Sequence, residues 1–357
     1  MLWDEIKYTP AVGGFPVPDR TNDTDATVVD WLNSRGWKDG HMTEMSIDSE
    51  MNMTVDFNQD VSNEDDMFVA NNWGVIDGPA SRTEINIDEY TFTVKGVKNP
   101  RTFTLDELKA LPQVSMTATQ GCYSWAPNTC MVGNIPITGV SLKTLVDECG
   151  GLEDGCDLFR VTAHDVWDWT HGWEKYTDVE PVLALTFWGH DLTMNQGYPA
   201  TLVVPGSGGA AWVKWAVQVE FSNNEAAKAE FGPTNFAKLG MTDYEKFANP
   251  LTAYSVNSGW FTPARDGSVL DYQEGQPVHL SGFTWSWYNK DHQLTKVKFS
   301  FDYGATWKEF DVPAEFDPVQ WTQWDVQWTP PAPGTYVLKV SGEDASGLEP
   351  AVPASVI

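Results

Sequence analysis

Apolar and polar positions fall into three textures along the chain. Residues 1–66 are polar, rich in Asp and Asn, and weakly patterned. One helical stretch stands out there, Asp25 to Leu32, and the rest, up to NEDDM, reads as an extended arm. From Met67 short strands alternate with helical runs. FVANNWGVID is a strand ending in Asn71, Asn72 and Trp73, and EYTFTVKGV alternates with period two. RTFTLDELKALP starts a helix at Thr104, with Glu107 three positions on as a capping box, and stops at Pro112. SMTATQ is a strand that runs through Gln120 and Gly121 to Cys122. ITGVSLKTLVDECGG is a helix capped by Ser141 and stopped by glycines. DLFRVTAHD, VLALTFWG and ATLVVPG are strands, and AWVKWAVQVEF is a strand pair or one long strand. These mixed elements describe an α+β domain over 67–249.

Near residue 250 the helices disappear. HLSGFTWSW, KVKFSFDYG, WTQWDVQW and TYVLKVSGED are short alternating strands separated by turn residues, the pattern of a small β-sandwich over 250–357. FSNNEAAKAEFGPTNF and the stretch to Pro250 read as the linker.

Composition narrows the function. A net charge of −28, from 50 acids against 22 bases, argues against nucleic acid as a partner, because nothing neutralises phosphates. No apolar run approaches the roughly 20 residues that span a bilayer. The N-terminus, MLWDEIKYTP, lacks a charged n-region and an h-region, which fits a cytoplasmic protein or one whose leader is gone. Eighteen tryptophans favour aromatic packing or aromatic-lined pockets. Four cysteines are too few for a disulfide scaffold, although Cys149 and Cys156 are spaced to close a small loop. There is no C-x-x-C-H for covalent haem and no paired C-x-x-C for zinc or an iron–sulfur cluster.

Cys122 therefore stands out. It sits behind Gly121 at a strand end, in the polar loop GCYSWAPN. A thiolate in such a loop is a soft metal ligand, and Gly121 gives the backbone freedom for close approach. A free buried thiol and a Cys122–Cys130 disulfide are the other readings of the residue by itself.

Three segments together resemble the sulfite-oxidase superfamily of molybdopterin enzymes. The first is FTLDELKALP leading to the lone Cys122, with PITGVSLKTLVDECG after it. The second is NQGYPATLVVPGSGGAAWVKW. The third is the C-terminal FSFDYGATWKEF with TYVLKVSGEDASGLEP. The resemblance spans roughly Met67 to Pro350. It implies an α+β sulfite-oxidase-like molybdopterin-binding domain followed by an all-β immunoglobulin-like sandwich, which in many relatives makes a homodimer. It implies Cys122 as the molybdenum ligand. Asn71, Asn72, Trp73, Gln120, Gly121, Gln196, Ser207, Gly208, Gly209 and Lys214 are then the cofactor-binding set. Backbone N–H groups of the glycine-rich loop and the Lys214 ammonium suit a pterin with a phosphate tail. His164, Asp165 and His171 either relay protons or pin their loop by hydrogen bonds.

The activity implied is oxygen-atom transfer on a small molecule, with electrons passed to a separate carrier protein, since no haem motif is present. Relatives without a fused haem are commonly exported, which makes this chain an expected exported protein. Two positions depart from sulfite oxidases. Pro127 and Thr201 stand where the family carries arginines, and the chain has only six: Arg20, Arg35, Arg82, Arg101, Arg160 and Arg265. A dianion wants a guanidinium fork, so the expected substrate is non-anionic. The rival class is a cofactor-free binding protein, its tryptophans serving a carbohydrate or other ligand.

Overall fold

The computed structural model describes residues 53–68, 85–121, 131–165, 167–173, 179–223, 256–286, 292–302, 304, 306–350 and 353–356. The expected helix at Asp25–Leu32, the Asn71–Trp73 turn, Cys122, Cys130 and the linker lie outside them.

The first unit runs β2 (Thr91–Lys95), β3 (Arg101–Thr104), α1 (Leu105–Ala110), β4 (Val114–Gly121), β5 (Val132–Ser141), α2 (Leu142–Glu148), β6 (Leu158–Ala163), β7 (Asp168–Gly172), β8 (Val182–Phe187), β9 (His190–Asp191), β10 (Thr201–Val203) and β11 (Ala216–Ser222); β1 (Met53–Asn58) precedes it. Strands dominate and the two helices are short. The Thr104 Oγ1 accepts from the Glu107 N–H at 3.2 Å, while the Glu107 carboxylate accepts from the Thr104 N–H at 2.8 Å. That closed box starts α1. Ser141 caps α2, which buries Leu142, Leu145 and Val146 on one face. Gly150 and Gly151, both left-handed, stop it. Cys149 and Cys156 are free thiols, so the small loop between them is not covalently closed.

These elements make two five-stranded sheets. One has the order β10-β8-β5-β4, with β9 on β8; the other is β3-β2-β11-β6-β7. Only β11 with β2 is parallel within them. One apolar cluster containing Phe92, Phe103, Phe159, Val161, Leu183, Val203 and Trp212 draws on both sheets and both helices.

The second unit comprises β12 (Val256–Thr262), β13 (Val278–Ser286), β14 (Leu294–Ser300), β15 (Lys308–Asp311), β16 (Thr322–Trp328), β17 (Leu338–Asp344) and β18 (Ala354–Val356). Its sheets are β1-β16-β13-β12 and β15-β14-β17-β18. Trp324, Val326, Leu280, Phe299, Val297 and Val340, from both sheets, share one buried core. Alternate residues of each strand face it, which is why the sequence pattern was readable. The polar first segment of the chain contributes β1 to this unit, in register Met53↔Trp328 through Asn58↔Gln323. No helix among the described residues is long and apolar enough to cross a membrane.

A buried carboxylate ties down the end of β17. Asp344 accepts from Ser346 N–H at 2.9 Å, Leu348 N–H at 2.9 Å and His292 Nδ1 at 2.8 Å. Burial works to raise its pKa, but the Ser346 and His292 hydrogen bonds outweigh it and the carboxyl sits below its ordinary value. A depressed folded pKa contributes stability above the unfolded value, about 3.9, and loses it as pH falls through the folded one. We expect Asp344→Asn to be less stable at neutral pH and to flatten the acid limb of stability against pH, measured by urea melts between pH 2 and 7. An unchanged acid limb rejects this role.

Candidate functional site

The site is built where the end of β4 meets the loop after β10. Along β4, Gln120 and Gly121 are its last residues, and Cys122 follows by one peptide bond. Gly209 lies against them. A Cβ on Gly209 would stand 3.3 Å from the Gly121 carbonyl oxygen, 3.5 Å from Gln120 Cγ and 3.6 Å from Gln120 Nε2. The glycine-rich loop thus approaches the strand end at backbone distance, and a larger residue would fill the cradle.

The loop has its own internal order. The Ser207 hydroxyl donates to Val204 O at 2.6 Å, and Trp212 Nε1 donates to the same carbonyl at 2.9 Å. Gly208 O accepts from Ala211 N–H and Gly209 O from Trp212 N–H, making one 3-10 turn over Gly209–Ala211. N–H groups that open such a turn have no acceptor within it, so they suit a ligand.

Strands β6 and β7 form the adjoining wall. His171, buried, places Nε2 3.3 Å from Ala211 O and stacks on Phe159 at 4.9 Å. His164 N–H donates to Trp215 O at 2.8 Å. Asp165 is buried and its Oδ1 accepts from Trp167 N–H at 3.2 Å, bracing the β6–β7 turn. Of these three, His171 reaches the glycine-rich loop through its side chain.

Lys214 and Gln196 belong to a second cluster beside the loop. Lys214 Nζ donates to Asn195 O at 2.7 Å, and Trp215 Nε1 donates to Met194 O at 3.0 Å. Trp215 is left-handed, with φ of 53°, so AWVKWAVQVEF is not one long strand: Val213 bridges Leu202, and β11 begins only at Ala216. The Gln196 amide is held at both ends. Its Oε1 accepts from Thr193 N–H at 2.8 Å and its Nε2 donates to Glu64 Oε1 at 2.9 Å. Glu64 also meets His190 Nε2 at 2.7 Å. The Asp191 carbonyl, then the Glu64 carboxylate, hold the His190 proton and raise its pKa.

Gly197 is the hinge of this cluster. Its φ is 98°, and a Cβ there would stand 2.2 Å from Thr201 Oγ1 and 2.7 Å from Lys214 Cβ. Gly197→Ala is expected to cost about 2 kcal/mol or more, from left-handed strain plus overlap. Gly189, also left-handed but with open space, is the control: Gly189→Ala should cost only the strain, of order 1–2 kcal/mol. Denaturant melts of both variants check this, and equal costs reject the overlap.

Arg101 and Arg160 do not converge on the loop. Arg101 pairs with Glu107 at 3.0 Å and Glu148 at 3.5 Å, and lies over the Phe103 ring. Arg160 bonds Asp168 at 2.6 Å. It alternates with Phe159 on β6, so it faces the side of the sheet away from His171. Thr201 is buried, and its hydroxyl donates to Gln196 O at 2.6 Å.

Of the sequence-selected residues, the structure joins Gln120, Gly121 and Gly209, with Ser207, Gly208 and His171 around the same loop. It joins Gln196 to Lys214 through the Met194–Gly197 turn. Sequence reasoning missed Glu64 and Ser62, which fasten the first segment to this unit; Trp188 Nε1 donates to Ser62 O at 3.0 Å. It also missed Thr119, Asn134, Trp285 and Trp321. Each reads as an ordinary strand position, and no spacing rule marks it.

Comparison with known proteins agrees with this geometry. Residues 78–230 match the family described as "Oxidoreductase molybdopterin binding domain". The chain is 25% identical over 276 residues to the mitochondrial sulfite oxidase of Drosophila melanogaster, covering 67% of this chain and 47% of that protein. It is 25% identical over 282 residues to the nitrate reductase [NADPH] of Phytophthora infestans, covering 65% of this chain and 30% of that one. The chain thus spans under half the length of these curated relatives. The crystal structure of the sulfane dehydrogenase SoxCD from Paracoccus pantotrophus superposes with a TM-score of 0.60 at 19% identity, covering 94% of this chain and 86% of that one. Fold and matched segment together define a molybdopterin-binding oxidoreductase domain. In sequence the chain is similar to sulfite oxidases and nitrate reductases, and the molybdopterin-binding match lies within its first unit.

Proposed function

We propose that the chain is a mononuclear molybdenum-cofactor oxidoreductase that performs oxygen-atom transfer on a small, non-anionic molecule and exchanges electrons with a separate carrier protein. The observation that supports this best is the contact of Gln120 and Gly121 with Gly209, inside the matched domain and one residue before Cys122. The donor set fits the group. Cys122 supplies a soft thiolate, the loop from Gly206 to Gly209 supplies backbone N–H groups, and Gly209 keeps the cradle open. When bound, the molybdenum cofactor supplies the two-electron chemistry and the oxygen-atom exchange.

The chain's own residues position and exclude. His171 holds the Ala211 carbonyl from a buried stack on Phe159, which fixes the loop from behind. Lys214 and Trp215 clamp the Met194–Asn195 backbone, so the Gln196 turn keeps its shape against the loop. In this reading 67–249 is the cofactor domain and 250–357 an immunoglobulin-like sandwich suited to homodimer contact, with the polar 1–66 segment lending it β1. The acidic surface fits a basic carrier, and export is the expected location. Asn71, Asn72 and Trp73 complete the proposed cofactor-binding set. The test is metal and pterin analysis of protein made in a host competent for molybdenum cofactor. About one Mo and one pterin per chain supports the reading. Neither, in folded protein from that host, rejects it in favour of a cofactor-free binding protein.

A further inference from the structure

The two units meet along the end of β4, at Thr119 and Gly121, and at Asn134 beside it. Thr119, fully buried, donates its N–H to Val319 O at 3.1 Å. Its Oγ1 accepts from the Trp321 N–H at 2.6 Å and donates to Asn134 Oδ1. Asn134, also fully buried, reaches Gln320 Oε1 and Gln59 O, both at 3.3 Å. Two residues on, Gly121 meets the Trp285 ring. A Cβ on Gly121 would stand 2.4 Å from Trp285 Cζ3 and 3.2 Å from its Cε3 and Cη2. Trp285, Phe283, Trp321 and Val132 form one buried cluster at this seam, and Val132 is the ladder partner of Gly121.

Strand alternation explains the arrangement. Thr119 and Gly121 face the sandwich, while Gln120 between them faces Gly209. The sandwich therefore grips the strand from one side while the glycine-rich loop lies on the other. Consecutive Cα atoms are about 3.8 Å apart across one peptide unit, so a shift of Gly121 passes directly to Cys122.

We propose that Trp285 and Thr119 are positioning residues, through which the C-terminal sandwich sets where the β4 end presents Cys122. The inference rests on the reading of Cys122 as the metal ligand. Groups that orient a ligand from behind tune the metal and typically change its affinity by about 10–100-fold when altered.

The experiment uses the full chain from a cofactor-competent host. Trp285→Leu removes the ring edge at Gly121. Trp260→Leu, in the sandwich core away from the seam, is the control for general destabilisation. Mo content after dialysis against chelator, the Mo(V) EPR spectrum and the melting temperature are read for each. Both variants should melt lower. Only Trp285→Leu should shift the Mo(V) g-values and lose Mo roughly 10–100-fold more readily, with Trp285→Phe partly restoring both. Gly121→Ala should behave like Trp285→Leu, and the double variant Gly121→Ala/Trp285→Leu should recover relative to Gly121→Ala, because the added methyl then has room. If Trp285→Leu does not fold, Thr119→Val decides in its place, with Thr119→Ser as its rescue. A parent that holds Mo, with an unchanged spectrum and Mo retention in the seam variants, overturns the positioning role alone. A folded parent without Mo overturns the proposed function and this inference with it.

Discussion

Cys122→Ser is expected to abolish the Mo(V) signal and turnover while leaving the fold intact. A thiol titrates near pH 8.5 and is readily held as a thiolate by a metal, whereas a serine hydroxyl stays protonated and is a hard donor. The change removes one soft bond from the metal and replaces only Sγ by Oγ, leaving the side chain otherwise the same length. Pterin can remain, because its donors come from the loop after β10. The other described thiols offer no substitute. Cys149 is fully buried, and burial raises its pKa; Cys156 is half-buried and raised for the same reason. Cys149→Ser and Cys156→Ser should therefore keep the signal. Mo stoichiometry, Mo(V) EPR and thermal melts on the three variants decide it. An unchanged Mo(V) spectrum in Cys122→Ser would sink the ligand assignment.

Much of the fold was legible because its cores are periodic. The alternation in EYTFTVKGV and TYVLKVSGED became β2 and β17 with their apolar sides buried, and the capping box at Thr104 and Glu107 starts α1 where the spacing predicts. Of the two readings of AWVKWAVQVEF, one long strand is excluded for a local reason: Trp215 takes a left-handed conformation and its indole reaches Met194 O, which no apolar pattern encodes, so Val213 bridges Leu202 by itself and β11 begins at Ala216. The polar run before Met67 hid a strand, since β1 buries few residues and lies at the edge of its sheet. At the site, chemistry-bearing residues were visible as motifs, whereas their supports were not. Gln196 reads as a cofactor contact by its place in NQGYP, yet its amide is committed to Thr193 and Glu64, 132 residues away from it in the second case. Thr119 and Trp285 carry no motif at all. Their contacts exist only because β4 ends between two units, a fact of long-range packing.

Sulfite should be a poor substrate for the fully Mo-loaded protein. The resemblance sets Pro127 and Thr201 where the family carries arginines, and Thr201 is buried with its hydroxyl spent on Gln196 O. The two best-placed substitutes are engaged elsewhere: Arg101 lies with Glu107 and Glu148 at the surface, and Arg160 bonds Asp168 on the sheet face away from His171. Each charge-assisted hydrogen bond to an anion contributes on the order of 1.5–3 kcal/mol. Loss of two weakens binding by roughly two to four powers of ten, since about 1.4 kcal/mol is tenfold. A net charge of −28 adds a long-range penalty for a dianion, partly screened at physiological salt. A sulfoxide or N-oxide avoids both costs, carrying no net charge to desolvate against an acidic protein. Steady-state kinetics with sulfite and an artificial acceptor, beside reduction of a sulfoxide by a viologen donor, make the comparison. We expect sulfite to show a KM in the millimolar range or above and the neutral substrate to outpace it in kcat/KM. Efficient turnover at micromolar sulfite would mean that a cation reaches the site from outside the described residues, Arg82 among them, and would reject the non-anionic reading.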